Sequence, residues 1–255
     1  MKKISIVTPH YNYDQYISEM LSSISEQTVS DIEVIIVDDH SSESSLNNLQ
    51  KIITQFPLLD IHLIRHIENR GAAESRNTGL KTASGEFVVV LDADDMLCGR
   101  YNLEYRLSLL ESNTSLSGVS GYAIRVNKEG KVLFRERRVN KFFILGTNPD
   151  KTLEAYCKNI LANSNPWISA LFYFSGSSMF RRKDLLDFPF DSHYEKEEDM
   201  EWILRFLEHK KIKLEMVPFL LRREHENQYH LNVPDTLISE IKDRCRAILD
   251  SSSLN

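Results

Sequence analysis

Apolar runs and helical stripes alternate through the first hundred residues. Ile4-Ser5-Ile6-Val7, Ile32 to Val37, Ile61-His62-Leu63-Ile64 and Glu86 to Leu91 are short and nearly unbroken by polar side chains. That is the pattern of strands buried on both faces, as in a parallel sheet. Ile17, Met20, Leu21 and Ile24 recur at helical spacing, as do Leu46, Leu49, Ile53 and Phe56, and a further helix is predicted from about Ala72 to Lys81. Pro9 has no N–H to donate, so pairing of the first strand is expected to stop there. Asn12 or Asp14 is the expected cap of the first helix, and Pro57 closes the second. Four alternations of strand and helix predict a parallel sheet with right-handed crossovers.

The pattern changes after residue 100. A helix is predicted over Tyr101 to Glu111, and a hairpin over Val119 to Val126 and Lys131 to Phe134. Arg135 to Arg138 reads as a solvated strand end. Further predicted elements are a helix from Lys151 to Leu161, a strand from Phe172 to Arg181 interrupted at Gly176-Ser177-Ser178, a helix from Glu195 to Glu208, a strand from Lys213 to Val217, and a polar segment from Leu221 to Tyr229. A terminal helix from Asp235 to Leu249 carries Leu237, Ile241, Cys245 and Ile248 in a stripe. The segment from Leu116 to Leu171 has no readable motif.

Composition narrows the class. Of 255 residues, 42% are hydrophobic and 27% charged, as in a globular domain with a substantial core. A net charge of −6 gives no reason to expect nucleic-acid binding. The first apolar run is too short for a signal peptide, and no window has the ~20 apolar residues of a membrane span. Cys98, Cys157 and Cys245 are odd in number and widely spaced, matching neither a zinc site nor a disulfide framework. A reducing, cytoplasmic location is expected.

Carboxylates gather where strands should end. Asp38-Asp39 follows the second, and Asp92-Ala93-Asp94-Asp95 the fourth. Ligands of open α/β sheets bind at this edge. On an extended chain Asp92 and Asp94 would share a side, a pair able to hold a hard divalent cation that also needs phosphate oxygens. An acidic turn is the plainer alternative. Neither a Gly-x-Gly-x-x-Gly nor a Walker fingerprint is present, which disfavours a dinucleotide oxidoreductase and a P-loop enzyme. Acids crowd the start of the Glu195–Glu208 helix, where the macrodipole favours them.

Five segments, in order, resemble the family 2 glycosyltransferases: Val7-Thr8-Pro9-His10-Tyr11-Asn12, Val37-Asp38-Asp39-His40-Ser41, Asn69 to Gly79, Leu91 to Asp95, and Glu198-Asp199-Met200-Glu201-Trp202. The resemblance implies a GT-A fold: a Rossmann-like, mostly parallel sheet flanked by helices, with a smaller mixed acceptor-side region. It implies an inverting transferase moving a sugar from a UDP-sugar to a hydroxyl of a saccharide or lipid-linked acceptor, in surface polysaccharide or glycoconjugate synthesis. It assigns Thr8, Pro9 and Tyr11 to the base pocket and Asp39 to the base N–H, with a core aromatic and a helix cap as the plainer roles of Tyr11 and Asp39. Asn69, Gly71 and Arg76 fall at the nucleotide end, and Ser177 beside the donor sugar. Asp92 falls on ribose or metal, and Asp94 on Mn²⁺ or Mg²⁺. His225 is either a metal ligand or a surface histidine, and Arg222 or Arg223 is a candidate to offset diphosphate charge. Asp199 is the expected general base, with Glu198 the alternative. Trp202 either walls the sugar pocket or packs in the core.

Residues 1–228 are expected to form one domain, with a nucleotide half (1–100) and an acceptor half (101–228), followed by a helical tail (229–255). The tail is a candidate for dimerisation or peripheral membrane contact at the inner face, though its acids argue against an anionic surface. The competing functional classes are a sugar-nucleotide nucleotidyltransferase and an inactive sugar-nucleotide binding module. The first lacks its glycine-rich opening loop here, and nothing in the sequence favours the second.

Overall fold

The computed structural model describes residues 3–133, 147–162, 176–194, 198–226 and 235–252. Strands β1 (Ile4–His10), β2 (Ile32–Asp38), β3 (Asp60–Arg65) and β4 (Phe87–Val90) alternate with helices α1 (Asp14–Ser25), α2 (Glu43–Ile53) and α3 (Gly71–Thr82). After β4 come β5 (Met96–Leu97), α4 (Asn102–Ser112), β6 (Gly118–Val126), a 3-10 turn (Pro149–Lys151) and α5 (Thr152–Ala162). Then follow β7 (Ser178–Arg181), α6 (Arg182–Leu186), α7 (Glu198–Leu207), β8 (Ile212–Arg223) and α8 (Asp235–Ser252).

The described strands form one sheet in the order β3-β2-β1-β4-β7-β6-β8-β5. The first four are parallel, as the alternation predicts. β7 lies antiparallel to both β4 and β6, and β8 runs parallel to β6. The second half of the chain thus extends the sheet of the first. The predicted hairpin is present: β6 turns at Asn127–Gly130, and Val132 bridges back to Val126. Arg135–Arg138, residues 139–146 and 163–167 of the segment that resists reading, the Phe172–Ser175 part of the predicted strand and the Glu195–Glu197 part of the predicted acidic helix lie outside the described residues.

Two prolines sit inside strands. β1 continues through Pro9 to His10, paired with β2. The ring nitrogen falls on the side of β4, where ladder pairing has already ended at Val7↔Val90, so no ladder bond is lost. Pro218 interrupts β8 where the register against β6 shifts, and the strand resumes to Arg223. Bulges are where sheets accept proline. The predicted strand from Lys213 to Val217 therefore stops short of the real one, and Leu221-Arg222-Arg223 belongs to β8.

Helix α1 buries the four predicted residues Ile17, Met20, Leu21 and Ile24. Its cap differs from expectation. Tyr13 is the N-cap and makes no side-chain capping bond. Asn12 instead accepts from the Ser42 N–H (3.0 Å), and Asp14 binds Ser45 and Asn48 of α2. One core lies between the sheet and α1, α2 and α4; the other lies between the sheet and α3, α5, α7 and α8.

Candidate active site

The carboxyl ends of β1, β2 and β4 deliver the predicted residues to one edge. Leu91 N–H still bonds Val7 (2.9 Å), after which Asp95 N–H bonds the Asp92 carbonyl (3.1 Å) and the chain turns. Asp92 and Asp94 are therefore not successive same-side residues of an extended strand, and their carboxylates reach different partners. Asp92 accepts from Arg76 (3.1 Å), and Asp94 contacts His225 Nε2 (2.9 Å). Asp95 points inward and accepts from the Arg223 N–H (2.9 Å), so it supports the loop. Burial, then the charges of Asp94 and Asp92, push its carboxyl well above the usual range.

Arg223 is fully buried and locks this turn. It donates to the Asp94 carbonyl (2.9 Å), the Lys128 carbonyl (2.6 Å) and Glu19 (2.8 Å), with its guanidinium over Tyr16. A side chain so enclosed is a brace for the acidic turn, not a surface cation for a diphosphate.

Arg76 rises from α3 to meet the first turn of α7. It is buried, paired with Glu198 and Asp92, and lies over the Phe190 ring. Burial opposes its charge, but Glu198, Asp92 and Asp199 outweigh that and hold the guanidinium above its ordinary pKa. Asp199, next to Glu198 but only partly buried, is pushed up to about 6. Burial is the main cause and the Glu198 charge the second, against the pull of Arg76. Glu198 is consumed by its ion pair, whereas Asp199 makes no side-chain ion pair among the described residues and keeps an exposed part. Trp202 is fully buried, donates to the Phe188 carbonyl, and stacks on Phe190 and Phe206. It belongs to the core.

At the β1–β2 end, Tyr11 is half-exposed on the site edge. Thr8 is fully buried, and its hydroxyl has no hydrogen-bond partner among the described residues. Asp39 accepts from His66 Nδ1 (2.7 Å) and the N–H groups of Arg70 (2.9 Å) and Gly71 (2.7 Å). It thus caps α3 from outside, satisfying donors that a helix N-terminus leaves open. Gly71 has φ +84°, the conformation glycine adopts without strain, and Asn69 is exposed beside it. Ser177 is fully buried, its hydroxyl facing Ser120, so no side-chain surface is available to line a donor sugar.

Two neighbours escape sequence reasoning. The Tyr13 and Tyr16 rings flank His225, with centroids 5.4 and 5.0 Å away. Burial, then Asp94, pushes the Tyr13 hydroxyl up to about 12. His66, bonded to Asp39, belongs to no motif in the sequence. Among the described residues, no cluster of three or more His, Cys, Asp or Glu is arranged to hold a metal ion. Asp94 and His225 nevertheless touch, and buried His225 Nδ1 has no hydrogen-bond partner among the described residues. A carboxylate with an imidazole is a donor set that suits Mn²⁺ better than Mg²⁺, and two protein donors are compatible with a cation that takes its remaining ligands from phosphate and water.

The Glycosyl transferase family 2 model matches residues 5–187. The Escherichia coli protein named UDP-Glc:alpha-D-GlcNAc-diphosphoundecaprenol beta-1,3-glucosyltransferase WfgD is 36% identical over 110 residues, which is 43% of this chain and 42% of that protein. Four curated relatives align over 18% to 47% of their own length, so the chain spans less than half of each. The fold matches S. aureus TarS 1-349 in complex with UDP-GlcNAc, at a TM-score of 0.67 and 20% identity over 94% of this chain and 64% of that one. It also matches the mannosyltransferase PcManGT of Pyrobaculum calidifontis in complex with GDP-Man and Mn2+, at a TM-score of 0.65 and 22% identity over 89% of this chain and 59% of that one.

Proposed function

The chain belongs to glycosyl transferase family 2, and from that premise we propose that it is an inverting sugar transferase using a UDP-sugar donor. The acceptor is a hydroxyl of a saccharide or of a lipid-linked saccharide, the kind of acceptor in the name of the E. coli relative. The observation that carries this reading is the division of labour among four charged groups. Arg76 engages Glu198 and Asp92, and the remaining carboxylate, Asp199, is the one held near neutral pKa. A base poised there takes a proton at ordinary pH.

In the proposed reaction, Asp199 accepts the proton of the acceptor hydroxyl as that oxygen attacks the anomeric carbon. The bond from that carbon to the diphosphate oxygen breaks, configuration inverts, and UDP leaves with the bonding electron pair. Asp94 and His225, with Asp92 beside them, would hold Mn²⁺ or Mg²⁺, which when bound supplies Lewis-acid stabilisation of the leaving diphosphate. Tyr11, Pro9 and Thr8 border the base, and Asp39 accepts its N–H. Asn69 and Gly71 border the same end. Arg76 keeps the acidic turn and the start of α7 in register.

Thermal-shift titration with UDP, dTDP, GDP and UDP-sugars, each with Mn²⁺, Mg²⁺ or EDTA, tests this. A ligand that binds only the native state raises its apparent melting temperature. A UDP shift that requires the cation and disappears in Asp94→Ala is expected. An Asp94→Ala protein that binds UDP normally in Mn²⁺ would remove the metal role.

A further inference from the structure

Asp39 is held by more than backbone. His66, the first residue after β3, is more than nine-tenths buried. Its Nδ1 lies 2.7 Å from Asp39 Oδ1, and its Nε2 lies 3.0 Å from the Thr78 hydroxyl on α3. Asp39 carries no proton to donate when ionised, so Nδ1 bears the hydrogen; Nε2 is then the acceptor and Thr78 the donor. Both ends of the pair are fixed to the sheet: Asp39 N–H bonds the His10 carbonyl (2.8 Å), and His66 N–H bonds the Asp38 carbonyl (2.8 Å). Among the described residues, Oδ1 accepts from His66 and Arg70, while Oδ2 accepts from Gly71 alone. The lone pair left for a ligand is therefore on Oδ2.

We propose that His66, itself oriented by Thr78, is a positioning residue that aims Asp39 and so makes the donor site discriminate between pyrimidines. The inference rests on the reading of Asp39 as acceptor of the base N–H. A carboxylate only accepts. Uracil presents an N–H at ring position 3, whereas cytosine presents a lone pair there, which the fixed oxygen repels. A site built to bond one N–H rejects an analogue lacking it only while the acceptor stays in place. Without the imidazole, Oδ1 loses a donor, and the carboxylate is free to rotate away from the N–H.

The experiment measures Kd for UDP and for CDP, in Mn²⁺, on the full chain and on four variants. Asp39→Asn is expected to collapse the preference for UDP. His66→Ala should narrow the UDP-to-CDP ratio by roughly tenfold, the size of a hydrogen bond to a charged group. His66→Asn, whose amide N–H occupies the place of Nδ1–H, should restore most of the ratio. Thr78→Val, which leaves the imidazole in place but unoriented, should narrow it in the same direction and serves if His66→Ala does not fold. If Asp39→Asn collapses the ratio while His66→Ala and Thr78→Val leave it intact, His66 is only a packing residue and the proposal is overturned. If Asp39→Asn also leaves it intact, the base-acceptor reading itself fails, and the proposal with it.

Discussion

Adjacent carboxylates at the start of α7 differ because one is ion-paired with a guanidinium and the other, among the described residues, is not. Glu198 is paired with Arg76, and Asp199 carries the raised pKa of about 6. The sign of the stability effect follows. An unfolded aspartate ionises near 3.8, so between there and about 6 the folded chain holds a proton that the unfolded chain has lost. Asp199 therefore lowers stability as pH rises through that window, and the cost persists above it. In EDTA, Asp199→Asn should be more stable than the parent at pH 7.5, by on the order of 1–3 kcal/mol, with the gap closing toward pH 4. The same variant should bind UDP normally yet transfer sugar ~10²-fold more slowly or worse. A stability gap that is flat with pH would contradict the burial argument; near-normal turnover would move the base to Glu198. At this scale the sequence shows which residues reach the site and less well what each one touches. Asp94 and Asp199 are readable from motif and position. The turn that separates Asp92 from Asp94, the enclosure of Ser177 and Trp202, and the bracing role of Arg223 all depend on contacts with residues remote in the chain, which no local pattern encodes.

The helices hold their positions through close approaches to the sheet. α3 carries Arg76 and Thr78 and offers its N-terminus to Asp39, so its seat on β1 governs both ends of the site. Gly79 sets that seat: a Cβ there would lie 2.3 Å from Val7 Cγ1. Two effects compete in Gly79→Ala. Helix propensity favours alanine by about 1 kcal/mol, while overpacking a closed interface costs about 1–3 kcal/mol. The packing cost should win, and the denaturant midpoint should fall with no change in slope. A midpoint that rises would show that Val7 yields and propensity decides. The elements themselves were largely legible, because buried parallel strands and amphipathic helices leave opposite periodicities in the chain. Strand ends were less so. Pro9 and Pro218 look like terminators, and each is tolerated for a reason that lies in a neighbouring strand: an ended ladder in one case and a register shift in the other.

At the scale of the whole molecule, the C-terminal helix is the largest departure from the expected layout. Read from the sequence it is a tail, free for membrane or partner, because its stripe of Leu237, Ile241, Cys245 and Ile248 says only that one face is covered. In the structure, Ile241 and Cys245 are buried in the core that also holds Trp202, Leu204, Cys157 and Ile160. Cys157 and Cys245, 88 positions apart in the chain, are both buried in this core, and the neighbouring Cys245 thiol, followed by burial, raises the Cys157 pKa. Arg244 clamps the outer edge, reaching Glu208 (2.5 Å) and Glu201 (3.4 Å) of the α7 region. No helix among the described residues is long and apolar enough to cross a membrane. Cores are close-packed, so a polar group placed at this junction has no partner and the defect is felt throughout. Ile241→Asn should therefore cost about 3 kcal/mol, lowering the calorimetric transition as a single peak. The metal-dependent UDP response of the remaining folded protein should persist, because α8 lends no residue to the candidate site. An appendage would behave otherwise: the main transition would stay where it was, and only a small separate one would move. That outcome would return α8 to the role of a tail and leave the acidic first turn of α7 to be positioned by Arg76 without support from behind.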